Sequence, residues 1–264
     1  MSLNIKAILF DVDKTLVDRE CLMLNELKDT LFNLKNKGYL LGINSGRPVF
    51  SSLRVLEKNG VTDLFDIFYG CNGLEFYDTK SKLSTYLDEI GVDTIHELDK
   101  LFHEDYLELS FYKENKTLCL NHKISDENKI KEWASVRFVE PKYVDFSKID
   151  YSIPKLVILF KKEYHNQIVA KVNNIKNDKV DIFFSGDECL EIVPSGINKG
   201  TAVLDLSKKL VAINPKNILT CGDAENDLPA LLLGEGVFVG DKREDIKYSC
   251  EFKELAQFLN NTLL

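Results

Sequence analysis

No apolar run in the sequence approaches the roughly 20 residues needed to cross a bilayer. Met1 to Ile8 has neither a long apolar stretch nor a small-residue cleavage site, so no secretory leader is expected. A CxxC pair is also missing. The six cysteines, at positions 21, 71, 119, 189, 221 and 250, are too scattered for a zinc site or a disulfide framework. They read as reduced thiols of a cytoplasmic protein, and Cys71 and Cys221, which follow apolar runs, as core residues. His96, His103, His122 and His165 show no metal-ligand spacing and read as surface residues. Positive charge is short too: the formal net charge is −8. This excludes broad binding of a nucleic-acid backbone, which draws on clustered Lys and Arg. An anionic ligand would need a metal, a few basic side chains and backbone N–H groups gathered locally. Repeats and low-complexity segments are absent.

What the sequence does contain is an ordinary globular balance, 44% hydrophobic and 29% charged, and a clear rhythm. Lys6-Ala-Ile-Leu-Phe10 is a short apolar run that stops at Asp11, as a buried parallel strand does. Leu24, Leu27, Leu31 and Leu34 follow at helical spacing, ended by Gly38. Tyr39–Ile43 reads as a strand stopping at Asn44-Ser-Gly-Arg-Pro48, and about 49–59 as a helix capped by Gly60. Asp66–Tyr69 reads as a third strand, stopping at Gly70-Cys-Asn-Gly73, where Asn72 and Gly73 form a tight turn. This alternation predicts a parallel α/β sheet.

From Leu74 the pattern changes. Glu75–Tyr86 reads as a polar-tipped hairpin, Lys155–Phe160 as a strand, Tyr164–Ile175 as a helix and Val180–Pro194 as two strands with Glu191 among them. Such runs predict an α+β unit with an antiparallel sheet, with Trp133 and other aromatics in its core. The α/β rhythm resumes at Lys199 with a helix to Val211. A strand at Asn217–Cys221 and a last core strand at Glu235–Gly240 follow, the latter ending at Asp241. The expected organisation is a discontinuous core, 1–74 and 191–264, interrupted by an inserted domain at 75–190.

Polar clusters follow the strand ends, where ligands of open parallel sheets bind. Two of them, Asp11 with Asp13 and Asp223 with Asp227, hold most of the carboxylates. Any one Asp alone reads as a helix cap or turn residue. Four at strand ends repel one another unless a cation or proton is shared, and carboxylate oxygens suit Mg²⁺.

These residues resemble the motifs of the haloacid dehalogenase superfamily. Asp11-Val-Asp-Lys-Thr15 is similar to its DxDxT motif, Ser45-Gly46-Arg47 to its second motif, Lys199 in Gly196-Ile-Asn-Lys-Gly200 to its third, and Gly222-Asp-Ala-Glu-Asn-Asp227 to its fourth. Order and spacing agree over essentially the whole chain. The long gap between Ser45 and Lys199 resembles the type IIB (Cof-like) branch, whose cap lies between the second and third motifs.

The resemblance implies a Rossmann-like parallel-sheet α/β core with an inserted α+β cap. It also implies a Mg²⁺-dependent phosphatase for small phosphorylated metabolites, sugar phosphates first. Asp11 would attack phosphorus and carry an aspartyl-phosphate. Asp13 would serve as acid and then base, and bind the metal through its backbone carbonyl. Asp11, Asp223 and Asp227 would supply carboxylates to the metal, while Thr15, Ser45 and Gly46 hold phosphate and Lys199 neutralises it. Arg47 reads equally as loop anchor or substrate contact. Asn226 reads as an orienter of the metal site. Two other readings are a phosphomutase, which needs a basic cap surface although Arg137 is the only arginine in the insert, and a non-catalytic phosphate-binding module, which needs no nucleophile and acid pair. Monomer and homodimer are both compatible with the sequence. Lys14 stands where the family most often has Gly, Asp241 where relatives often have Asn, and Pro229 falls in the first turn of a helix.

Overall fold

In the first apolar run, Ala7 and Leu9 pack into one hydrophobic cluster and Ile8 and Phe10 into another, all four buried. A strand apolar on both faces belongs at the centre of a covered sheet. The computed structural model describes residues 4–264 except 105–106, 114–116, 121–126, 137–139, 176, 185–186 and 212, and divides them into two compact units. Arg137, His122 and the Trp133 side chain lie outside what is described.

The first unit opens with β1 (Ala7–Phe10), α1 (Asn25–Asn36), β2 (Leu40–Asn44), α2 (Val49–Lys58), β3 (Ile67–Gly70), β4 (Glu75–Asp78) and β5 (Leu83–Tyr86). The insert contains α3 (Val92–Leu101), β6 (Glu108–Lys113), β7 (Thr117–Leu120), α4 (Glu127–Val136), β8 (Glu140–Tyr143), β9 (Leu156–Leu159), α5 (His165–Val172), β10 (Val180–Phe184) and β11 (Cys189–Pro194). The chain then returns with α6 (Lys199–Lys209), β12 (Ile218–Gly222), α7 (Leu228–Leu233), β13 (Glu235–Val239), β14 (Tyr248–Cys250) and α8 (Leu255–Leu263).

The core sheet has the order β14-β13-β12-β1-β2-β3-β4-β5. Its first six strands are parallel, and β4 returns antiparallel to β3 with Phe68 opposite Tyr77. Helices cover both faces. Leu27, Leu31 and Leu34 of α1, Val55 and Leu56 of α2 and Leu255, Leu259 and Leu263 of α8 pack with Ile8 and Phe10. Ala202, Val203 and Leu206 of α6 and Ala230 of α7 pack with Ala7 and Leu9. Pro229 stands in the first turn of α7, where its missing N–H leaves no helical bond unmade.

The second unit carries a six-stranded sheet, β10-β11-β9-β6-β7-β8, antiparallel apart from the β7–β8 pair. Leu109, Phe111, Leu156, Ile158, Leu190 and Ile192 alternate onto one face and form a core with Ile95 and Leu98 of α3 and Ile168 of α5. Glu191 stands on β11, its carboxylate 2.7 Å from Lys155.

Three expectations need correction. The division falls at Met1–Thr85 with Asn198–Leu264, and at Tyr86–Ile197, not at 74/75 and 190/191. The hairpin expected to open the insert instead extends the core sheet, because β4 bonds to the free edge of β3. Glu235–Val239 is also not the last core strand. β14 pairs beyond it, Val239 opposite Cys250, on a run too short and too polar to show a strand pattern. Among the described residues no helix is long and apolar enough to cross a membrane.

Phe68 ties the hairpin to the core, its ring 6.2 Å from both Phe65 and Tyr77. Phe68→Ala is expected to destabilise the core by about 3–5 kcal/mol. Urea unfolding would check this, and a loss below about 1 kcal/mol would contradict the packing described.

Candidate active site

The site is assembled by strand order. β1 lies between β12 and β2, with Phe10 opposite both Cys221 and Ile43, and the Asp11 N–H donates to the Cys221 carbonyl at 2.9 Å. The loops after β1, β2 and β12 therefore emerge side by side at the carboxyl edge, although they are far apart in sequence.

Asp11, Asp223 and Asp227 each place a carboxylate oxygen within 4.8 Å of the others. Asp11 and Asp227 are buried. Lys199, the first residue of α6, is only 1% exposed, and its Nζ donates to Oδ1 of Asp11 and Oδ1 of Asp227, each at 2.6 Å. Its backbone is fixed on two sides. Asn198 caps α6 reciprocally with Thr201, and the Asn44 side-chain amide donates to the Lys199 carbonyl at 2.9 Å.

The charges leave their mark. Burial pushes the Asp11 carboxyl up to about 7, helped by the charges of Asp227 and Asp13 and opposed by Lys199. Burial and the Asp227 charge push Asp223 up to about 6. Burial works against the Lys199 ammonium, but its two carboxylate partners outweigh this and hold it above its usual value.

Asp227 folds back over the loop that carries it, and its Oδ2 accepts from the N–H groups of Asp223 at 3.1 Å and Ala224 at 3.0 Å. That turn is possible only because residue 222 is glycine. A Cβ there would lie 2.2 Å from Cγ of Asp227. The spacing of Gly222, Asp223 and Asp227 is thus a steric requirement of the loop.

Asp13 is turned elsewhere. Both of its oxygens are held by Arg47, Nε to Oδ2 at 2.6 Å and Nη2 to Oδ1 at 2.7 Å, a two-pronged pair that a planar guanidinium suits. Burial opposes the Arg47 charge, yet the hydrogen bond and charge of Asp13 raise its pKa overall. The Asp13 side chain is 46% exposed, so the pair opens onto solvent. Of the four expected metal ligands, the structure gathers the carboxylates of Asp11, Asp223 and Asp227 and leaves that of Asp13 outside the cluster. Arg47 has its guanidinium on Asp13, as a loop anchor would. The Thr15 hydroxyl is buried with no hydrogen-bond partner. Ser45 Oγ accepts from Arg47 N at 3.2 Å, and Asn226 Nδ2 donates to Asn72 Oδ1 at 3.1 Å. A Cβ on Gly46 would meet that same Oδ1 at 3.2 Å.

One contributor was missed from sequence. Glu75, fully buried at the start of β4, accepts from the first N–H of α2, Val49, at 2.7 Å, while its other oxygen has no partner. Burial pushes its carboxyl up to about 7. It caps the helix that follows Ser45-Gly46-Arg47, and so helps aim Arg47 at Asp13. A single glutamate in a strand-like run carries no periodic signal of this. Of the histidines expected at the surface, His103 is exposed, while His96 is half-buried and its Nε2 donates to the Ile149 carbonyl. Cys71 and Cys221 are buried, and all six cysteines are thiols. Asp241 is exposed after β13.

Three clustered carboxylates, two of them buried, fit a divalent cation. The donors are hard oxygens, as Mg²⁺ requires, and a cation would relieve the burial that raises Asp11 and Asp223.

Comparison with known proteins gives the family. The family model of the haloacid dehalogenase-like hydrolases matches residues 8–254, and the chain belongs to that family. A haloacid dehalogenase-like hydrolase from Bacteroides thetaiotaomicron superposes with a TM-score of 0.84 at 20% identity, covering 97% of this chain and 99% of its own. The HAD subclass IIB sugar phosphatase BT4131 superposes at 0.77 with 18% identity, covering 97% and 98%. Among curated proteins, the 5-amino-6-(5-phospho-D-ribitylamino)uracil phosphatase YcsE of Bacillus subtilis is 24% identical, covering 94% of this chain and 89% of its own. The chain is an enzyme of the phosphatase kind within this family.

Two predictions follow from the charges. Because Asp11 and Asp223 have raised folded-state pKa values, their stabilising contribution is complete below the unfolded carboxylate range. It fades as pH rises through about 6 to 7. In chelator, the melting temperature of the wild type should therefore fall between pH 5 and 8 more than that of Asp11→Asn, and Mg²⁺ should restore more at pH 8 than at pH 5. Calorimetry showing parallel profiles would contradict this. Lys199→Ala leaves two buried carboxylates without their cation and should cost about 3–5 kcal/mol in chelator, read from denaturant midpoints.

Proposed function

We propose that the chain is a Mg²⁺-dependent phosphatase acting on small phosphorylated metabolites, sugar phosphates first, through an aspartyl-phosphate on Asp11. The observation that carries this reading is the buried Asp11 carboxylate, held at 2.6 Å by Lys199 in a cluster with Asp223 and Asp227.

In this reading one oxygen of Asp11 attacks phosphorus, and the bond from phosphorus to the leaving oxygen breaks. Lys199 fixes the other oxygen and neutralises charge spreading over the phosphoryl group. Asp13, more exposed than Asp11 and paired with Arg47, donates a proton to the leaving alkoxide. It then takes a proton from the water that attacks the aspartyl-phosphate, which returns Asp11 and inorganic phosphate. The Thr15 and Ser45 hydroxyls and the Gly46 N–H hold phosphoryl oxygens; the unsatisfied Thr15 Oγ1 supports its part. Arg47 acts by fixing Asp13. Asp11, Asp223 and Asp227, with the Asp13 backbone carbonyl, would hold Mg²⁺, which would supply screening between carboxylates and phosphate. Asn226 steadies the rim through Asn72.

The substrate class is supported by the relatives, one named for a phosphorylated uracil derivative and another described as a sugar phosphatase. A cytoplasmic location is supported by the six thiols.

Phosphate release from p-nitrophenyl phosphate is expected with Mg²⁺ and not with chelator. Asp11→Asn should lower kcat by about 10³-fold or more. Equal release by wild type and Asp11→Asn, in matched preparations, would sink the reading.

A further inference from the structure

Lys14 has a backbone that its side chain does not favour. Its φ is +57°, the left-handed region, where a residue with a Cβ is disfavoured by roughly 1–2 kcal/mol. The turn imposes it: Lys14 N–H donates to the Val17 carbonyl at 2.7 Å, and the Leu16 and Val17 N–H groups donate to the Val12 carbonyl at 3.0 Å. Glycine would meet this turn at no such cost. The lysine side chain, 62% exposed, reaches back to within 3.9 Å of Oδ2 of Asp223.

Three cations near the carboxylates, among the described residues, are not equivalent. The Lys199 ammonium is buried and bonded to Asp11 and Asp227. The Arg47 guanidinium is spread over both oxygens of Asp13. Lys14 is exposed, on a flexible stem, and at the outer limit of ion-pair distance from a carboxylate of the cluster. Together Asp11, Asp223 and Asp227 carry three negative charges when ionised, and Lys199 cancels one. Lys14 stands beside Asp223, the one of the three that Lys199 does not bond.

We propose that Lys14 is an exchangeable counter-cation: it leans on Asp223 when no divalent cation is bound, and is released to the phosphate group when one is. The proposal rests on the phosphatase reading above. It gives Lys14 two effects of opposite sign. Its charge competes with a divalent cation for Asp223 and so weakens metal binding. The same charge, displaced by the metal, strengthens the hold on a phosphate dianion and favours substrates with a second anionic oxygen near the rim. A lysine kept only for the turn would produce neither effect.

The test measures Mg²⁺ binding by isothermal titration calorimetry, then inorganic phosphate binding at saturating Mg²⁺, for wild type, Lys14→Asn and Lys14→Arg. Asparagine removes the charge and tolerates positive φ; arginine keeps the charge. Lys14→Asn is expected to bind Mg²⁺ about fivefold more tightly and phosphate about fivefold more weakly, the scale of one unit charge at close range in a hydrated setting. Lys14→Arg should stay within about twofold of wild type in both. Should Lys14→Asn fail to fold, Lys14→Gly provides the same neutral comparison. Affinities that both weaken, both tighten or both stay unchanged in the neutral variant overturn the proposal, as does an arginine variant that behaves like asparagine. A wild type that binds neither Mg²⁺ nor phosphate refutes the phosphatase reading itself, and with it the role given to Lys14.

Discussion

Carboxylates taken out of water beside one another repel, and each loses hydration worth several kcal/mol. Asp11 and Asp227 are in that position, and the ammonium of Lys199 is the charge that makes their burial tolerable. Much of the surrounding architecture serves to keep that ammonium in place. The reciprocal cap between Asn198 and Thr201 starts α6 at Lys199, and the Asn44 amide grips its carbonyl from the end of β2. Gly222 leaves room for Asp227 to fold inward. The remaining repulsion appears as the raised Asp11 and Asp223 carboxyls, a local imbalance that a divalent cation would relieve. A site strained in this way is primed for its ligand before the ligand arrives.

A second arrangement stands beside the first and runs on different physics. Asp13 is half in water, and its partner Arg47 is bidentate and permanently charged. Arg47 is itself positioned by backbone bonds, its carbonyl accepting from Cys71 N at 2.9 Å, and by Glu75 at the start of α2. Buried carboxylates thus share the ammonium of Lys199, while a solvent-facing carboxylate is paired with a guanidinium. Keeping these pairings on separate carboxylates lets each have the environment it needs.

The parallel core was legible because strands buried on both faces are apolar throughout, and Phe10, Ile43 and Cys221 are each followed by an abrupt polar turn. The carboxylate cluster was legible because Asp11, Asp223 and Asp227 follow the ends of apolar strands, and Gly222 shows why the last two keep their spacing; Lys199 was visible only through the resemblance of its surroundings to a family motif. Contacts that depend on pairing between distant segments were not. Glu75–Tyr86 reads as a hairpin, but nothing in it states that it adds to the edge of β3 rather than opening the insert. Tyr248–Cys250 is a strand only because β13 offers it an edge. The grip of Arg47 on Asp13 and of Glu75 on α2 are matters of side-chain direction, which spacing does not encode. Lys14 was visible as a departure, yet its left-handed backbone was not.

The position of β1 in the sheet bears on how the enzyme comes into being. Its strand bonds on one side to β2, made soon after it, and on the other to β12, made only after some two hundred further residues. A ribosome that has released the first eighty residues has made Asp11 and Asp13 but neither Lys199 nor the two later aspartates. Contacts so distant in sequence form slowly, and here they are the ones that assemble the reactive centre. The cluster is therefore a property of the finished chain: a nascent or truncated product bears Asp11 without the lysine and the two aspartates that surround it in the folded protein.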